Sequence, residues 1–331
     1  MNGNENQFTT VTGTLNTSAG QIPSTSAEYK SADRLAAWKA RWGIHRAAWL
    51  IKPGLYALGA PSAASPVFAT ANYKLSFDNL RRNLKGIDSW ILVLNTKGIN
   101  VWCAAGKGTF GTLELVRSIM ETGLEKLLEH KSIILPQLGA PGVAAHRVKA
   151  YTGFSVTYGP VRAEDIPEFM RLGNKTSPEM REVRFGFFDR IILAPVEFVQ
   201  FGKYILPAAL ILYLLGLKAD AVLAAGALLA GSVLVPAFLP RLPGRSFALK
   251  GAAAGFSVVA ALSPLLDFDL YQFCARTLIY IPIASFIGLE FTGSSTYTSL
   301  SGVKKEMRIA MPAQALALLT GLLMLAFRRL L

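Results

Sequence analysis

Between residues 65 and 138 the hydrophobic positions follow the pattern of alternating strands and helices. Residues 65–70 (SPVFAT) are strand-like, and residues 77–84 (FDNLRRNL) space their apolar side chains as a helix does. The apolar run at 89–95 is typical of a strand buried on both faces of a parallel sheet. A helix is predicted from Thr109 and a further strand over 132–138. Strand, loop, helix and strand form a crossover unit, which binds its ligand at the loop after the strand.

After residue 190 the pattern changes to apolar stretches near the ~20 residues that cross a bilayer. Arg276 lies inside one of these stretches, and a charge within a span indicates a function, although snorkelling or a shorter span also explains it. A count of four or six spans is also compatible with the pattern. We predict five spans, at residues 191–217, 219–239, 247–266, 271–290 and 309–327.

The first 30 residues are rich in Thr, Ser, Asn and Gly and show no apolar periodicity. We therefore predict a disordered or weakly ordered tail over residues 1–45. The tail has no basic segment followed by an apolar one, so a cleaved secretory signal is not expected. The domain that follows is expected to stay in the cytoplasm.

The composition supports this division into two unlike parts. Of the 331 residues, 52% are hydrophobic and 17% charged, and the mean hydropathy is +0.37, too apolar for an ordinary soluble protein. Most charges precede residue 190, where 23 Lys and Arg accompany 15 Asp and Glu, against 11 and 6 after it. We predict a soluble domain over residues 46–190 and a transmembrane domain over 191–331.

Loop charges predict the orientation, because cytoplasmic loops are enriched in Lys and Arg. With the front domain in the cytoplasm, the acidic loop with Asp267 and Asp269 lies outside. Five spans would also place the basic residue Arg328 outside, which disagrees with this rule. We predict a multi-pass inner-membrane protein whose front domain faces the cytoplasm. The net charge of the whole chain is +13, and basic loops explain much of the positive charge behind the boundary. The expected partner is therefore a lipid bilayer and no nucleic acid. The loop residues predicted to be cytoplasmic are Arg241, Arg245, Lys250, Lys304, Lys305 and Arg308.

The segment Asn100-Val-Trp-Cys-Ala-Ala-Gly-Lys107 holds the candidate chemistry. Two cysteines exclude a disulfide framework and a Cys-rich metal cage built from this chain alone, and three histidines leave few options for a histidine-based metal site. Cys103 lies between an apolar strand and a helix start, among small residues that let a broad, flat group approach the backbone. The helix start and Lys107 would both favour the thiolate. The alternative interpretation is a buried structural cysteine beside a glycine-rich turn.

Nucleotide binding is a weaker interpretation of the same region. The P-loop spacing fails, because Val101 stands where its first glycine is required and Gly108 follows Lys107. Gly106, Gly108 and Gly111 match the spacing of the dinucleotide fingerprint. However, no acidic residue follows in a second strand at the required distance.

The segment 100–107 resembles the signature of the membrane corrinoid protein family of bacterial mercury methylation. It is also similar to the corresponding loop of the corrinoid iron–sulfur protein of the acetyl-CoA pathway. Residues 65–78 resemble an upstream stretch of the same superfamily, and residues 291–303 resemble a loop late in its membrane part. The resemblance covers about residues 60–331, and the signature segment shows no departure.

This resemblance implies an α/β Rossmann-like corrinoid-binding domain followed by an all-α transmembrane domain of about five helices. It implies a cobalamin-type corrinoid whose cobalt has Cys103 as its lower axial ligand or directly beneath it. Core packing of Trp102 and a plain polar turn at 152–153 are the alternatives for those residues. The residues expected to contact the corrinoid are Thr70, Asn72, Asn100, Val101, Trp102, Cys103, Ala104, Ala105, Gly106, Lys107, Thr152 and Gly153.

The function implied is methyl transfer to inorganic Hg(II), giving methylmercury. A thiolate donates more strongly than imidazole, so it favours release of the methyl group with its electron pair, the form that an electrophile such as Hg(II) requires. The expected partners are a folate-type methyl donor system and a ferredoxin-like iron–sulfur protein, because the chain lacks the cysteines for its own cluster. Two alternatives are a membrane-anchored methyl carrier of acetyl-CoA-type one-carbon metabolism and a membrane receptor or transporter.

Overall fold

A computed structural model describes residues 11–44, 49–295 and 300–330 of the chain. The chain divides into two compact units, with the division between Val183 and Arg184, and residues 41–44 are grouped with the second unit. The first unit is a mixed α/β domain and the second is helical. The division lies near the boundary at residue 190 that the change in hydrophobic pattern predicts.

A mixed sheet forms the centre of the first unit. Its seven strands, counted over the described residues, have the order β1-β2-β3-β5-β4-β6-β7. The neighbours β5, β4, β6 and β7 are parallel, whereas β3 is antiparallel to β5. At the other edge β2 is parallel to β3 and β1 is antiparallel to β2. The strands are β1 (Val11–Thr17), β2 (Gly20–Thr25), β3 (Gly54–Leu58), β4 (Val67–Ala71), β5 (Ser89–Leu94), β6 (Ser132–Leu135) and β7 (Ser155–Tyr158).

Helices cover both faces of this sheet. Successive side chains of a strand point to opposite faces, so neighbouring residues of one strand pack against different helices. Phe68 of β4 packs with Phe77 on one face, and the next residue, Ala69, packs with Leu115 on the other. Every residue of β4 and β5 is buried, which for β5 agrees with the apolar run at 89–95. The helices of this unit are α1 (Ser31–Arg41), α2 (Lys74–Asn83), α3 (Val101–Lys107), α4 (Thr112–Glu121), α5 (Ala145–Thr152) and α6 (Ile166–Arg171).

Residues 11–41 differ from the disordered tail that the sequence predicts. They form the antiparallel pair β1–β2 and helix α1, while residues 1–10 and 45 of that tail lie outside the described residues. Ile22 is buried in the core of the sheet, and Ala36 and Ala40 pack with Trp49. A few scattered apolar residues thus hold this segment against the core. They are too few to produce an apolar periodicity in a segment rich in Ser and Thr.

A buried cluster of four charges connects α1 to α2. The Lys74 Nζ lies 2.9 Å from Asp33 Oδ1 and 2.8 Å from Asp78 Oδ2. The Arg81 guanidinium lies 2.7 Å from Asp33 Oδ2 and 2.8 Å from Asp78 Oδ1, and it donates to two backbone carbonyls of the segment before α1. Two acids and two bases balance, so the burial of these four side chains leaves no net charge in the domain.

The second unit contains five helical stretches long and apolar enough to span a membrane, counted over the described residues. They are Phe187–Leu214, Lys218–Phe238, Phe247–Leu266, Leu270–Gly293 and Ser301–Arg328, so the prediction of about five apolar helices is confirmed. Of the 291–303 loop, residues 296–299 lie outside the described part. The helices are α7 (Phe187–Ile191), α8 (Ala194–Leu214), α9 (Lys218–Leu229), α10 (Val235–Phe238), α11 (Phe247–Leu262), α12 (Leu270–Glu290) and α13 (Leu300–Leu330).

Arg276, the charge inside the fourth predicted span, forms an ion pair with α9. Its Nε lies 3.1 Å from Oδ1 of Asp220, and the Tyr280 hydroxyl donates to the same oxygen at 3.1 Å. The guanidinium also lies 4.4 Å from the centre of the Phe268 ring. The pair replaces a bare cation by a neutral polar group within the bundle, which explains how α12 accommodates an arginine.

Candidate functional site

The carboxyl ends of β4, β5, β6 and β7 meet at one edge of the sheet, because these strands are parallel. The chain passes from β4 to β5 on one side and then crosses to β6 on the other side of β4. Connections that leave neighbouring strands in opposite directions open a crevice between them, and α/β proteins bind ligands in such crevices. The sheet therefore has a ligand-binding position next to the end of β4.

A cavity of about 280 Å³ lies at this position. None of its lining side chains is ionisable, and its polar groups are the hydroxyls and amides of Thr70, Ser76, Asn79 and Asn100. Such groups can hydrogen-bond a ligand, but they offer no acid or base near neutral pH. The remaining lining residues are Phe68, Ala69, Leu80, Val101, Trp102, Ile134, Leu135, Pro136, Leu138, Gly159, Pro160, Val161, Ala163 and Ile166.

The segment 100–107 is a short helix, α3, rather than the loop that the sequence predicts. Asn100 is its N-cap, since its Oδ1 accepts a hydrogen bond of 2.9 Å from the Cys103 amide. Gly108, at φ 78°, ends the helix in the left-handed conformation that favours glycine. Seven residues are too few to show helical periodicity in a sequence. The helix that follows begins at Thr112, after an N-cap at Gly111, instead of at Thr109.

Helix α3 has a buried side and an exposed side. Ala104 and Ala105 belong to the core, so these two residues support the helix from below and do not form its surface. The backbone of α3 lies close to the neighbouring turn, since a Cβ added to Gly142 would lie 3.1 Å from the Ala105 Cα. Close packing against α3 therefore explains the glycine at position 142 of that turn.

The exposed side of α3 presents Trp102, Cys103, Gly106 and Lys107. Trp102 is 37% exposed, Cys103 is partly exposed, and the other two are exposed. Residues three and four apart are neighbours on a helix surface, so Cys103 lies between Gly106 and Lys107 on one side of the helix. A Cβ added at Gly106 would meet nothing within 4 Å. The space above this part of the helix is open to a large group.

Loss of the Asn100 cap is expected to loosen the first turn of α3. Replacing Asn100 by alanine leaves the Cys103 amide without its acceptor, and we expect a destabilisation of about 1 kcal/mol. Hydrogen exchange of the Cys103 amide measures it, and the exchange rate should rise about fivefold. Asn100→Asp supplies the same cap and should exchange as slowly as the natural chain. Equal rates in all three proteins would show that the cap does not hold this turn.

Asn72 has a positioning role that differs from the ring contact implied by the resemblance. Its side chain is buried, and its Oδ1 accepts hydrogen bonds from the amides of Thr96, at 3.0 Å, and Gly98, at 2.9 Å. These bonds hold the turn that connects β5 to Asn100, so Asn72 fixes the start of α3 from below. Thr70, in contrast, lines the cavity directly.

Thr152 and Gly153 lie at the other edge of the sheet. They end α5 and precede β7, so they are next to the amino end of that strand. The Thr152 hydroxyl donates to the Val148 carbonyl at 2.8 Å, and Gly153 has φ 76°. A strand of four residues separates them from the carboxyl edge by roughly 13 Å. The structure does not bring these two residues to the cavity.

Sequence reasoning missed the contribution of α2 and of the turn after β7. Ser76 and Asn79 line the cavity from α2, and Gly159, Pro160 and Val161 line it from the turn. The Gly-Pro pair directly after a strand is a turn signal that could have indicated this part. Beside this turn, burial raises the pKa of the Tyr158 phenol, which donates a hydrogen bond to the Val143 carbonyl at 2.5 Å.

Comparisons with known proteins match the first unit. Residues 46–170 match the protein family described as CO dehydrogenase/acetyl-CoA synthase delta subunit. The acetyl-CoA decarbonylase/synthase complex subunit gamma of Methanopyrus kandleri is 33% identical over 36% of this chain and 26% of its own length. The same subunit of Archaeoglobus fulgidus is 34% identical over 34% of this chain and 24% of its own length.

The corrinoid/iron–sulfur protein large subunit of Moorella thermoacetica is 28% identical over 37% of this chain and 27% of its own length. This chain therefore spans about a quarter of the length of these curated relatives. The first unit is related to the corrinoid protein of the acetyl-CoA pathway.

Proposed function

We propose that this chain is a membrane-anchored corrinoid protein that transfers a methyl group to inorganic Hg(II), giving methylmercury. The observation that supports it most is the position of Cys103, a partly exposed thiol in the first turn of a capped helix at the carboxyl edge of the sheet. The relation of the first unit to corrinoid proteins of the acetyl-CoA pathway supports the choice of cofactor.

The residues around Cys103 suit a corrinoid. A corrin ring is broad and bears amide arms, and the open space above Gly106 admits a broad group close to the helix backbone. The cavity beside α3 offers hydroxyls and amides of Thr70, Ser76, Asn79 and Asn100, which pair with amides without charge. When bound, the corrinoid supplies a cobalt atom that carries the methyl group.

Five residues in and around α3 would then have distinct tasks. Cys103 would provide a sulfur donor to the cobalt, and Lys107, one turn away on the same side of the helix, would place a cation beside the site. Asn100 holds the backbone of the first turn, and Asn72 holds the turn before it. Trp102, which is 37% exposed, would shield the edge of a bound ring from water with its apolar surface.

Two further proteins belong to this proposal. A folate-type one-carbon carrier would supply the methyl group, and a ferredoxin-like iron–sulfur protein would return electrons to the cobalt. Electron delivery is assigned to a partner because Cys103 and Cys274 are too few for a four-cysteine cluster. The five apolar helices would hold the catalytic unit at the inner membrane, on its cytoplasmic side.

A second candidate is a membrane-anchored methyl carrier of one-carbon metabolism with an acceptor other than mercury. The names of the relatives favour it, since they are subunits of acetyl-CoA decarbonylase/synthase complexes and a corrinoid/iron–sulfur protein. Both candidates use the same site and the same cofactor. They differ in the acceptor alone.

The test is a cobalt assay followed by methyl transfer. The full chain is purified without oxygen, supplied with methylated corrinoid and assayed for bound cobalt. Hg(II) is then compared with a thiol acceptor and with a nickel-containing acetyl-CoA synthase. One cobalt per chain and methylmercury as the main product would support the proposal. Transfer to the synthase alone would select the second candidate, and a reconstituted chain without cobalt would exclude both.

Replacing Gly106 by alanine is expected to change helix stability and corrinoid binding in opposite directions. Gly106→Ala should stabilise the cofactor-free chain by about 0.5–1 kcal/mol, since glycine is a poor residue inside a helix. It should also weaken corrinoid binding about tenfold, because an added methyl group under a close-fitting ring costs about 1–3 kcal/mol. Thermal unfolding and corrinoid titration measure the two effects. Gly106→Leu should bind still more weakly, and unchanged binding by the leucine variant would show that no ring lies there.

A further inference from the structure

Two cavities lie at the end of the bundle where α11 and α13 begin. Their volumes are about 660 Å³ and 450 Å³, and Lys305 of α13 lines both. The larger one is bounded by α11 and α13 and reaches Ser285 of α12. Its other lining residues are Arg245, Ser246, Ala248, Leu249, Ala252, Gly302, Glu306, Ile309, Ala310, Ala313 and Gln314.

Four exposed cations surround this pair of cavities: Arg245 before α11, and Lys304, Lys305 and Arg308 in the first turns of α13. In the described part of the chain none of the four forms an ion pair. Their positive charge is therefore available to an anion from outside the chain.

Glu306 is the acidic residue among the lining side chains, and its carboxylate already has hydrogen-bond partners within the chain. Its Oε1 accepts hydrogen bonds of 2.7 Å from the Ser246 hydroxyl and from the Ala248 amide. A carboxylate at a helix start is stabilised by the helix dipole, so Glu306 satisfies the beginning of α11. An anion at this position would bind the lysine and arginine side chains and not the helix end.

Apolar surface lies directly next to these cations. Leu249 is 59% exposed and Ile309 is 68% exposed, at the mouth of the larger cavity. The small side chains of Ala252, Ala310 and Ala313 line it on both helices. A cationic mouth that continues into a channel of small apolar residues fits a molecule with an anionic head and a hydrocarbon tail.

We propose that this groove binds one anionic phospholipid, with its phosphate at Arg245 and Lys305 and an acyl chain along Ala252 and Ala313. Basic pockets between membrane helices recognise anionic head groups, and each cation near the surface contributes about a fivefold gain in affinity. The apolar wall adds the contacts with the tail, which a free phosphate cannot make. The phospholipid thereby joins α11 to α13 at the basic end of the bundle.

Native mass spectrometry of the full chain in detergent tests this proposal, and it needs no corrinoid. The probes are phosphatidylglycerol, phosphatidylcholine and glycerol phosphate, which has the head group without tails. We expect one phosphatidylglycerol per chain, with much weaker binding of the other two. Arg245→Gln and Lys305→Gln should each weaken it about fivefold, and the double variant about 30-fold.

Arg241→Gln is the matched control, because Arg241 is an exposed cation before α11 that lines neither cavity. It should bind phosphatidylglycerol as the natural chain does. Ala313→Phe fills the channel and leaves every charge in place, so it should also weaken binding. Equal losses in the Arg241 variant, undiminished binding in the double variant, or glycerol phosphate binding as tightly as the lipid would each overturn the proposal.

Discussion

Replacing Cys103 by alanine is expected to lower the rate of methyl transfer to Hg(II) by more than about 100-fold while the chain stays folded. The fold should persist because the side chain is partly exposed and alanine is a good helix former. The loss should be large because changes to groups that merely support a metal ligand already cost about 10–100-fold. The rate of methylmercury formation by the reconstituted full chain measures the effect.

The second cysteine provides the matched control for this variant. Cys274 is an exposed residue of α12, and Cys274→Ala removes a thiol of the same kind from the other unit. Its rate should equal that of the natural chain, and its bound corrinoid should keep the same visible spectrum. The spectrum of the Cys103 variant should change, since the sulfur donor that we propose for the cobalt is lost. Transfer at the natural rate without Cys103 would refute its role.

Replacing Arg81 by alanine is expected to destabilise the first unit by about 3–5 kcal/mol. The change leaves Asp33 and Asp78 buried with Lys74 as their one remaining cation, and an uncompensated buried charge has a cost of that size. Urea unfolding followed by hydrogen exchange of the β4 and β5 amides measures the free energy of unfolding.

The neighbouring residue Arg82 is the control for Arg81. Its side chain is exposed and donates to Asn79 Oδ1 at 2.7 Å, and exposed contacts of this kind contribute about 0–1 kcal/mol. Arg82→Ala should therefore change stability little. If both variants lost the same small amount, the cluster would contribute no more than a surface contact.

Acid is expected to weaken the same cluster. Burial alone would raise the pKa of Asp33, but hydrogen bonds and charges from Lys74 and Arg81 outweigh it and hold the pKa below the ordinary 3.8. The stabilisation is thus fully present above pH 3.8 and is lost as the pH falls through the lower, folded-state pKa. Unfolding free energies at several pH values should show the difference between the natural chain and Asp33→Asn narrowing below pH 3.8. A constant difference would contradict this.

The sequence predicted the parts of the fold whose signal is local. β5 is a strongly apolar run because both of its faces are covered, and the helices of the second unit are long apolar stretches. The segment 11–41 was missed because its order depends on distant partners. Asp33 is buried by contacts with Lys74 and Arg81, more than forty residues away, and no local pattern shows such contacts.

The candidate site was predicted in part for the same reason. A dense local signature points to Cys103, and the structure places it at the edge where parallel strands end. Thr152 and Gly153 have the sequence of a polar turn beside a strand. Whether such a turn lies at the carboxyl edge of the sheet depends on whether it follows or precedes the strand, and this turn precedes β7. The role of Asn72 becomes visible once the turn at Thr96 is folded against it.

The ion pair between Asp220 and Arg276 joins α9 to α12. The two residues are 56 positions apart in the chain, so the ribosome adds them at different times. Asp220 leaves the ribosome first, near the start of α9. An arginine that enters hydrocarbon without a partner costs about 2.5–3.5 kcal/mol on insertion scales. In the membrane-anchored protein that we propose, helix α12 would therefore insert at the lowest cost when α9 is already beside the translocation site. The pair would give the growing chain a preferred order of insertion, in which α9 with Asp220 is inserted first and α12 with Arg276 then pairs with it.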